Sequence, residues 1–404
     1  MTPAKPTQTA LFVLALCFAL AVIGRGLGES FTVFLLPISQ NFGWDRAEVL
    51  SIYSMAALIG GFSAPVIGRL FDHSGPRIVF ALGLTLIGGA FLVASSAERL
   101  WQFQLSLGLC VGVGVACLGN VPHSILLGRW FGARLTSAMA VIYSAMGAGV
   151  LALLPLSQVL IERIGWRSAY QVFGVAVLVL LGPLLLLPWK RLAAGSPTVT
   201  RTATAELSDA GWTLLAAVRH HAFWALFSTF FFTAVGMYAI SAQIVAYLVD
   251  AGFPPLQAAT AWGFSGVVML AGMLSVTWLD SVIGRRRSVL VSYAISILGI
   301  ALLRLLRIYP NTLLLAGFVI CFGSMLGSRG PLITATAMRI FRGRRVGTIF
   351  GAIFIGSGLG AAIGSWSGGL IHDLTGSYDA LLLFALASVI LGMIPFLVVP
   401  ALRE

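Results

Sequence analysis

Long runs of apolar residues, separated by short clusters of Gly, Pro, Asp, Arg and Ser, follow one another along the whole chain. A helix needs ~20 mostly apolar residues to cross a ~30 Å hydrocarbon core. Twelve runs meet that length: Leu11–Leu36, Ala47–Arg69, Arg77–Ala94, Trp101–Leu127, Thr136–Ile161, Ala169–Leu187, His221–Val249, Pro254–Leu279, Ser288–Leu306, Thr312–Met338, Val346–His372 and Tyr378–Val399. The pattern predicts an all-α membrane protein with twelve transmembrane helices. The first run is too long for the apolar region of a signal peptide and has no small-residue cleavage pattern after it, so it is expected to be retained.

One interruption differs from the others. From Lys190-Arg191-Leu192-Ala193-Ala194-Gly195-Ser196-Pro197 through Thr204 and Asp209 to Arg219 the chain is polar and contains Pro, Ser and Thr, the composition of a linker. It separates an expected six-helix bundle over residues 1–190 from a second over 219–404, with a cytoplasmic linker at 191–218. The halves repeat. Gly68-Arg-Leu-Phe-Asp72-His-Ser-Gly75-Pro-Arg77 after the second run is echoed by Asp280-Ser-Val-Ile-Gly284-Arg285 after the eighth. Phe131-Gly132-Ala-Arg134 and the Gly147-Ala-Gly149 that follows are echoed by Phe341-Arg-Gly343-Arg344 and the later Gly356-Ser-Gly358. The offset is about 210 residues, and the two halves are expected to be pseudo-symmetric and parallel.

Composition agrees with the pattern: 59% of residues are hydrophobic, 9% are charged and the mean hydropathy is +0.98. The net charge of +12 suggests a nucleic-acid partner only until the charges are placed. Of 25 Lys and Arg, 17 fall on one face of the expected topology and 6 on the other, which marks the first face as cytoplasmic and puts both termini there. Arg285-Arg286-Arg287 belongs to that bias and faces lipid headgroups. The four cysteines lie inside runs without CxxC spacing, so neither a disulfide framework nor a metal site is indicated. The glycines between Gly351 and Gly369 lack the preceding strand and following Lys-Ser/Thr of a nucleotide loop, and read as close helix packing.

Two of the 25 basic residues, Arg25 and Arg329, remain within the membrane. An ionised side chain there costs ~2.5–3.5 kcal/mol on insertion scales and marks a functional position by default. Arg25 shares a helical face with Glu29, four residues on. Arg329 has only Met325, Leu326, Leu332 and Ile333 at helical neighbour spacing, which suits a bidentate fork to a carboxylate. A structural arginine bonded to another helix is the alternative, and for Arg25 and Glu29 it is a pair that neutralises itself.

Gly68 to Arg77 closely resembles the signature loop of the major facilitator superfamily, where it acts as a gate. The resemblance implies gating roles for Gly68, Asp72, Gly75 and Arg77, and for Asp280, Gly284 and Arg285 in the second copy, which departs by Val276 and an extra residue. Glu29-Ser-Phe-Thr-Val-Phe-Leu-Leu-Pro-Ile with Phe42-Gly43-Trp44-Asp45-Arg46 is similar to the monocarboxylate-transporter branch and its bacterial oxalate/formate-exchanger relatives. Gly272 stands where that branch often carries a basic residue, and Val346–His372 contains no Lys, so a lactate- or oxalate-type anion site does not carry over wholesale.

In that fold the first, fourth, seventh and tenth helices line the cavity. The resemblance therefore directs the search to Arg25 and Glu29, Asn120 and His123, Tyr238, Ser241 and Gln243, and Ser328 and Arg329. The expected ligand contacts are Arg329, Arg25, Asn120, Tyr238, Ser241, Gln243 and Ser328, with Glu29 and His123 coupling to protons. The expectation is a monomeric secondary transporter in a bacterial inner membrane. It takes a small organic carboxylate by proton symport and alternating access, without cofactor, metal, nucleic acid or enzymatic activity. Exchange of organic anions is the nearest rival and efflux of an amphipathic compound the next. A sensor would need an output domain, for which Met1–Ala10 and Pro400–Glu404 are too short.

Overall fold

The computed structural model describes residues 8–196, 212–341 and 346–402. Most of the polar linker, the basic residues Lys5, Arg201, Arg342, Arg344, Arg345 and Arg403, and Gly343 of the second repeat lie outside the described residues. The first half consists of α1 (Gln8–Phe42), α2 (Arg46–Ser95), α3 (Leu100–Phe103), α4 (Val111–Cys117), α5 (Asn120–Phe131), α6 (Leu135–Leu186) and α7 (Trp189–Ala194). The second consists of α8 (Leu214–Val218), α9 (His221–Ser241), α10 (Ile244–Asp250), α11 (Pro255–Ile283), α12 (Arg285–Ile308), α13 (Thr312–Phe318), α14 (Gly330–Ile340), α15 (Val346–Thr375) and α16 (Tyr378–Val398).

Among the described residues, nine helices are long and apolar enough to cross a membrane. The expected runs map onto them unevenly. α2 has 50 residues and α6 has 52, each covering two expected runs, and each contains one residue outside helical geometry, Gly75 at φ 78° and Gly165 at φ 79°. A side chain at such a φ would strain the backbone, so glycine is the residue that permits the change of direction. The tenth expected run is divided between α13, a π-helical turn at Val319–Gly323 and α14. The fourth is divided in a similar place, with a π-helical turn at Gln104–Cys110 and a break between α4 and α5.

Positive-φ glycines reproduce the repeat in the backbone. Gly43 and Gly252 are 209 residues apart, as are Gly75 and Gly284, while Gly165 and Gly376 are 211 apart. Buried apolar residues gather into two clusters. One runs from Val13 to Leu192 and takes in Ala242 and Ala246; the other runs from Ala217 to Leu402 and takes in Val33, Val150 and Leu154. Large apolar side chains also face outward, Leu186 at 87% and Trp278 at 65% exposure, as a lipid-facing surface requires.

Glycine governs how closely the helices approach. On α15, a Cβ at Gly356, Gly360, Gly364 or Gly368 would stand 2.8, 2.2, 2.3 or 2.7 Å from the carbonyl oxygens of Phe227, Phe231, Val235 and Ala239. Both sets advance by four residues, so α15 lies backbone to backbone along α9, the small-residue packing expected of this stretch. Across the two halves, Gly147 of α6 meets Gly266 of α11, and Gly61 of α2 meets Gly358 of α15. Ser54 and Ser365 share a 2.6 Å hydrogen bond beside the second of these contacts.

Candidate functional site

α1 runs unbroken from Gln8 to Phe42, and its four-residue spacing brings Arg25 Nη2 to 2.7 Å from Glu29 Oε1. Two tyrosines complete the arrangement. Tyr53 of α2 donates its hydroxyl to Glu29 Oε2 at 3.0 Å, and Arg25 Nη2 donates to the Tyr238 hydroxyl of α9 at 3.5 Å. The tyrosine rings are 6.4 Å apart, and Phe31 stacks on Tyr53 at 5.9 Å. Three of the four polar groups belong to the first half and Tyr238 to the second, so the network spans the division between them.

The bonds in this network are unequal. Glu29 accepts from a guanidinium and a phenol, both at short range, and its side chain is 13% exposed. Arg25 is 31% exposed, and its bond to Tyr238 lies at the long limit for a hydrogen bond. A carboxylate approaching Arg25 can therefore replace the Tyr238 bond before it disturbs the ion pair. Planar guanidinium geometry then offers a bidentate seat.

Arg329 is placed differently. It is 3% exposed and directs Nε to the Ser292 hydroxyl at 2.9 Å and Nη2 to the Ser292 carbonyl at 2.7 Å and to the Ser296 hydroxyl. Its guanidinium lies 4.0 Å from the centre of the Tyr293 ring, and Nη1 has no partner among the described residues. All these contacts belong to α12. The Tyr293 hydroxyl continues to Thr233 of α9 and to the Gly392 carbonyl of α16.

The remaining expected residues are dispersed. His123, on α5, is buried against Phe80 at 5.6 Å, with neither ring nitrogen bonded to a described residue. Asn120 is exposed at the start of α5. Ser241 and Gln243 are buried at the break between α9 and α10, Gln243 donating to the Ala239 carbonyl at 3.3 Å. Ser328 is buried and donates to the Met325 carbonyl at 3.2 Å.

In the gate loops, Gly75 and Gly284 share one left-handed geometry, and Asp280 pairs with Arg285 at 3.6 Å. Gly68 lies within α2, and Asp72 and Arg77 are exposed; Asp72 pairs with none of the described residues. The structure thus brings Arg25, Glu29 and Tyr238 together and adds Tyr53, which the sequence reading did not single out. A tyrosine within an apolar helix needs a partner for its hydroxyl, and that is the signal Tyr53 carried.

Two repeated helical halves with a charged network between them define a multi-pass membrane transporter, not an enzyme. The chain belongs to the Major Facilitator Superfamily, whose family model matches residues 14–365. It is 26% identical over 398 residues to the uncharacterized MFS-type transporter YcxA of Bacillus subtilis (strain 168), covering 96% of this chain and 95% of that protein. It is 27% identical over 388 residues to monocarboxylate transporter 3 of Rattus norvegicus, covering 94% of this chain and 77% of that protein. Among solved structures it is similar to a bacterial homolog of the human lysosomal transporter Spinster in an inward-facing and occupied conformation. That likeness has a TM-score of 0.73 at 14% identity, covering 98% of this chain and 96% of the other, and is one of fold.

Proposed function

We propose that this protein carries a small organic carboxylate across a bacterial inner membrane together with a proton, by alternating access between two six-helix halves. The observation that carries the proposal is the Arg25–Glu29 pair, bonded to Tyr53 on its own half and to Tyr238 on the other. Arg25 seats the carboxylate, and Glu29, losing part of its counter-charge to that anion, takes up the proton. The similarity to monocarboxylate transporters supports a monocarboxylate-like substrate. Arg329, with its Nε and Nη2 bonded to α12, ties the broken tenth run to that helix, and its Nη1, without a partner among the described residues, is the part left for a ligand. His123, Asn120, Ser241, Gln243 and Ser328 are secondary candidates for ligand contact or proton movement. The two helices that bend at Gly75 and Gly165 supply four spans, and the broken tenth run supplies another, which brings the nine apolar helices to twelve. Both termini then lie in the cytoplasm, the halves divide near 190 and 219, and the carrier is a monomer.

The test is uptake into proteoliposomes. Glu29→Gln mimics the protonated acid, so exchange of substrate across the membrane is expected to persist while accumulation driven by a pH gradient disappears. Accumulation equal to that of the unmodified protein would overturn proton coupling at Glu29 and favour anion exchange. Arg25→Lys keeps the charge but loses the fork, and is expected to weaken substrate binding roughly tenfold, about 1.4 kcal/mol. A thermal-shift screen against organic acids identifies the substrate, since a ligand at 100 times its Kd stabilises by ~2.7 kcal/mol.

A further inference from the structure

On the outer face of the second half, α9 and the end of α16 leave an open groove of about 500 Å³ between them. Small-molecule sites occupy ~300–1,000 Å³. One wall is the aromatic run Trp224, Phe227 and Phe231 of α9, and the other is formed by Ile394, Pro395 and Val398 of α16. Neighbouring rings of the run touch, Trp224 with Phe227 at 5.5 Å and Phe227 with Phe231 at 6.3 Å between centres. The wall is braced from behind, because the carbonyls of Phe227 and Phe231 lie against Gly356 and Gly360 of α15. Polar groups within the groove are already spent: the Ser228 hydroxyl donates to the Ala225 carbonyl at 3.0 Å, and the Trp224 indole to the Val218 carbonyl at 2.8 Å. Only one end is polar. There His221 is exposed, as is Arg219 two residues earlier, which pairs with no acid among the described residues. Neither α9 nor the last turns of α16 contain Asp or Glu.

We propose that this groove is a binding site for one anionic phospholipid, with an acyl chain along the aromatic wall and the phosphate seated by Arg219 and His221. Length fits the occupant. A helix rises ~16 Å from His221 to Phe232 at 1.5 Å per residue, about half of a ~30 Å hydrocarbon core, so the groove runs through the depth of a single leaflet. Charge fits it too, since a trench without free hydrogen-bonding groups along its length and with an unpaired cation at one end matches an apolar chain with an anionic head. Arg219 supplies the charge, and the His221 ring offers an N–H donor in either protonation state. The exposed Trp224 ring stands between chain and head, at the depth where amphipathic rings are favoured. Neither Arg25 nor Glu29 lines the groove, so its occupancy by lipid does not depend on what the carrier transports.

Fluorescence quenching in proteoliposomes tests the site. The protein is reconstituted in phosphatidylcholine containing phosphatidylglycerol, with brominated chains on one lipid or the other, and the Trp224 signal is the difference between the unmodified protein and Trp224→Phe. Brominated phosphatidylglycerol is expected to quench Trp224 with about fivefold higher apparent affinity than brominated phosphatidylcholine, the preference that one basic residue supplies at a membrane surface. Arg219→Gln with His221→Gln is expected to abolish the preference while both lipids still quench, and Arg219→Lys to keep most of it. Equal quenching by the two lipids in the unmodified protein identifies ordinary boundary lipid and overturns the proposal. Absence of quenching by either lipid means that another protein surface, such as a second copy of this chain, covers the groove, and overturns it as well. A preference that survives in the double Gln variant overturns the seating of the phosphate by Arg219 and His221.

Discussion

Arg25 and Arg329 both stand in apolar helices, and their hydrogen-bond partners differ. Arg25 is 31% exposed and shares its guanidinium between an acid of its own helix and a phenol of the other half, whereas Arg329 is 3% exposed and bonds three times to Ser292 and Ser296. A hydrogen bond to a charged group contributes ~1.5–3 kcal/mol, so Arg329→Gln is expected to destabilise the protein by at least ~2 kcal/mol, seen as a lower apparent unfolding midpoint in detergent. Glu29→Gln is expected to leave that midpoint nearly unchanged, because the amide oxygen still accepts from Arg25 or Tyr53. An unchanged midpoint for Arg329→Gln would return Arg329 to the ligand site expected from its sequence setting. The Arg25–Glu29 pair was legible because helical periodicity alone brings i and i+4 together. Tyr53 and Ser292 were not, since a partner on another helix leaves no trace in local spacing.

Whole helices show the same division between what spacing encodes and what it does not. The glycines of α15 read as packing from their number alone, but their four-residue register against the carbonyls from Phe227 to Ala239 depends on α9 lying beside them. Gly272 is a sharper case. The related branch often carries a basic residue there, and the absence reads in sequence as a loss of anion-binding charge. In the structure a Cβ at Gly272 would stand 1.9 Å from the Ser324 carbonyl oxygen, just before the break that leads into α14, so the site has no room for any side chain. Gly272→Ala is expected to destabilise by ~1–3 kcal/mol, the usual cost of overpacking, and Gly272→Arg to prevent stable insertion, both measurable by thermal unfolding and membrane yield. The breaks in the fourth and tenth runs were hidden because a hydrophobic run has the same composition whether its helix is continuous or divided.

For the molecule as a whole, the sequence carried the all-helical membrane class and the internal repeat, and the backbone shows the repeat again in glycines 209 to 211 residues apart. Topology follows from the charge bias and is testable at one position: Ser196→Cys is expected to resist a membrane-impermeant thiol reagent in intact cells and to react once the membrane is opened. How the halves meet was not legible, because no motif declares that Gly147 faces Gly266 or Gly61 faces Gly358. A Cβ at Gly147 would lie 2.1 Å from the Gly266 carbonyl oxygen, but one at Gly61 would lie 3.5 Å from Gly358 Cα, an ordinary contact. Gly147→Ala is accordingly expected to slow uptake and exchange together, and Gly61→Ala to be tolerated, as initial rates in proteoliposomes will show. At Gly147 and Gly266 the two halves meet backbone to backbone, so no side chain stands between them at that point. A single methyl group there would occupy the space of the facing carbonyl oxygen, and the joint would bind at its tightest point.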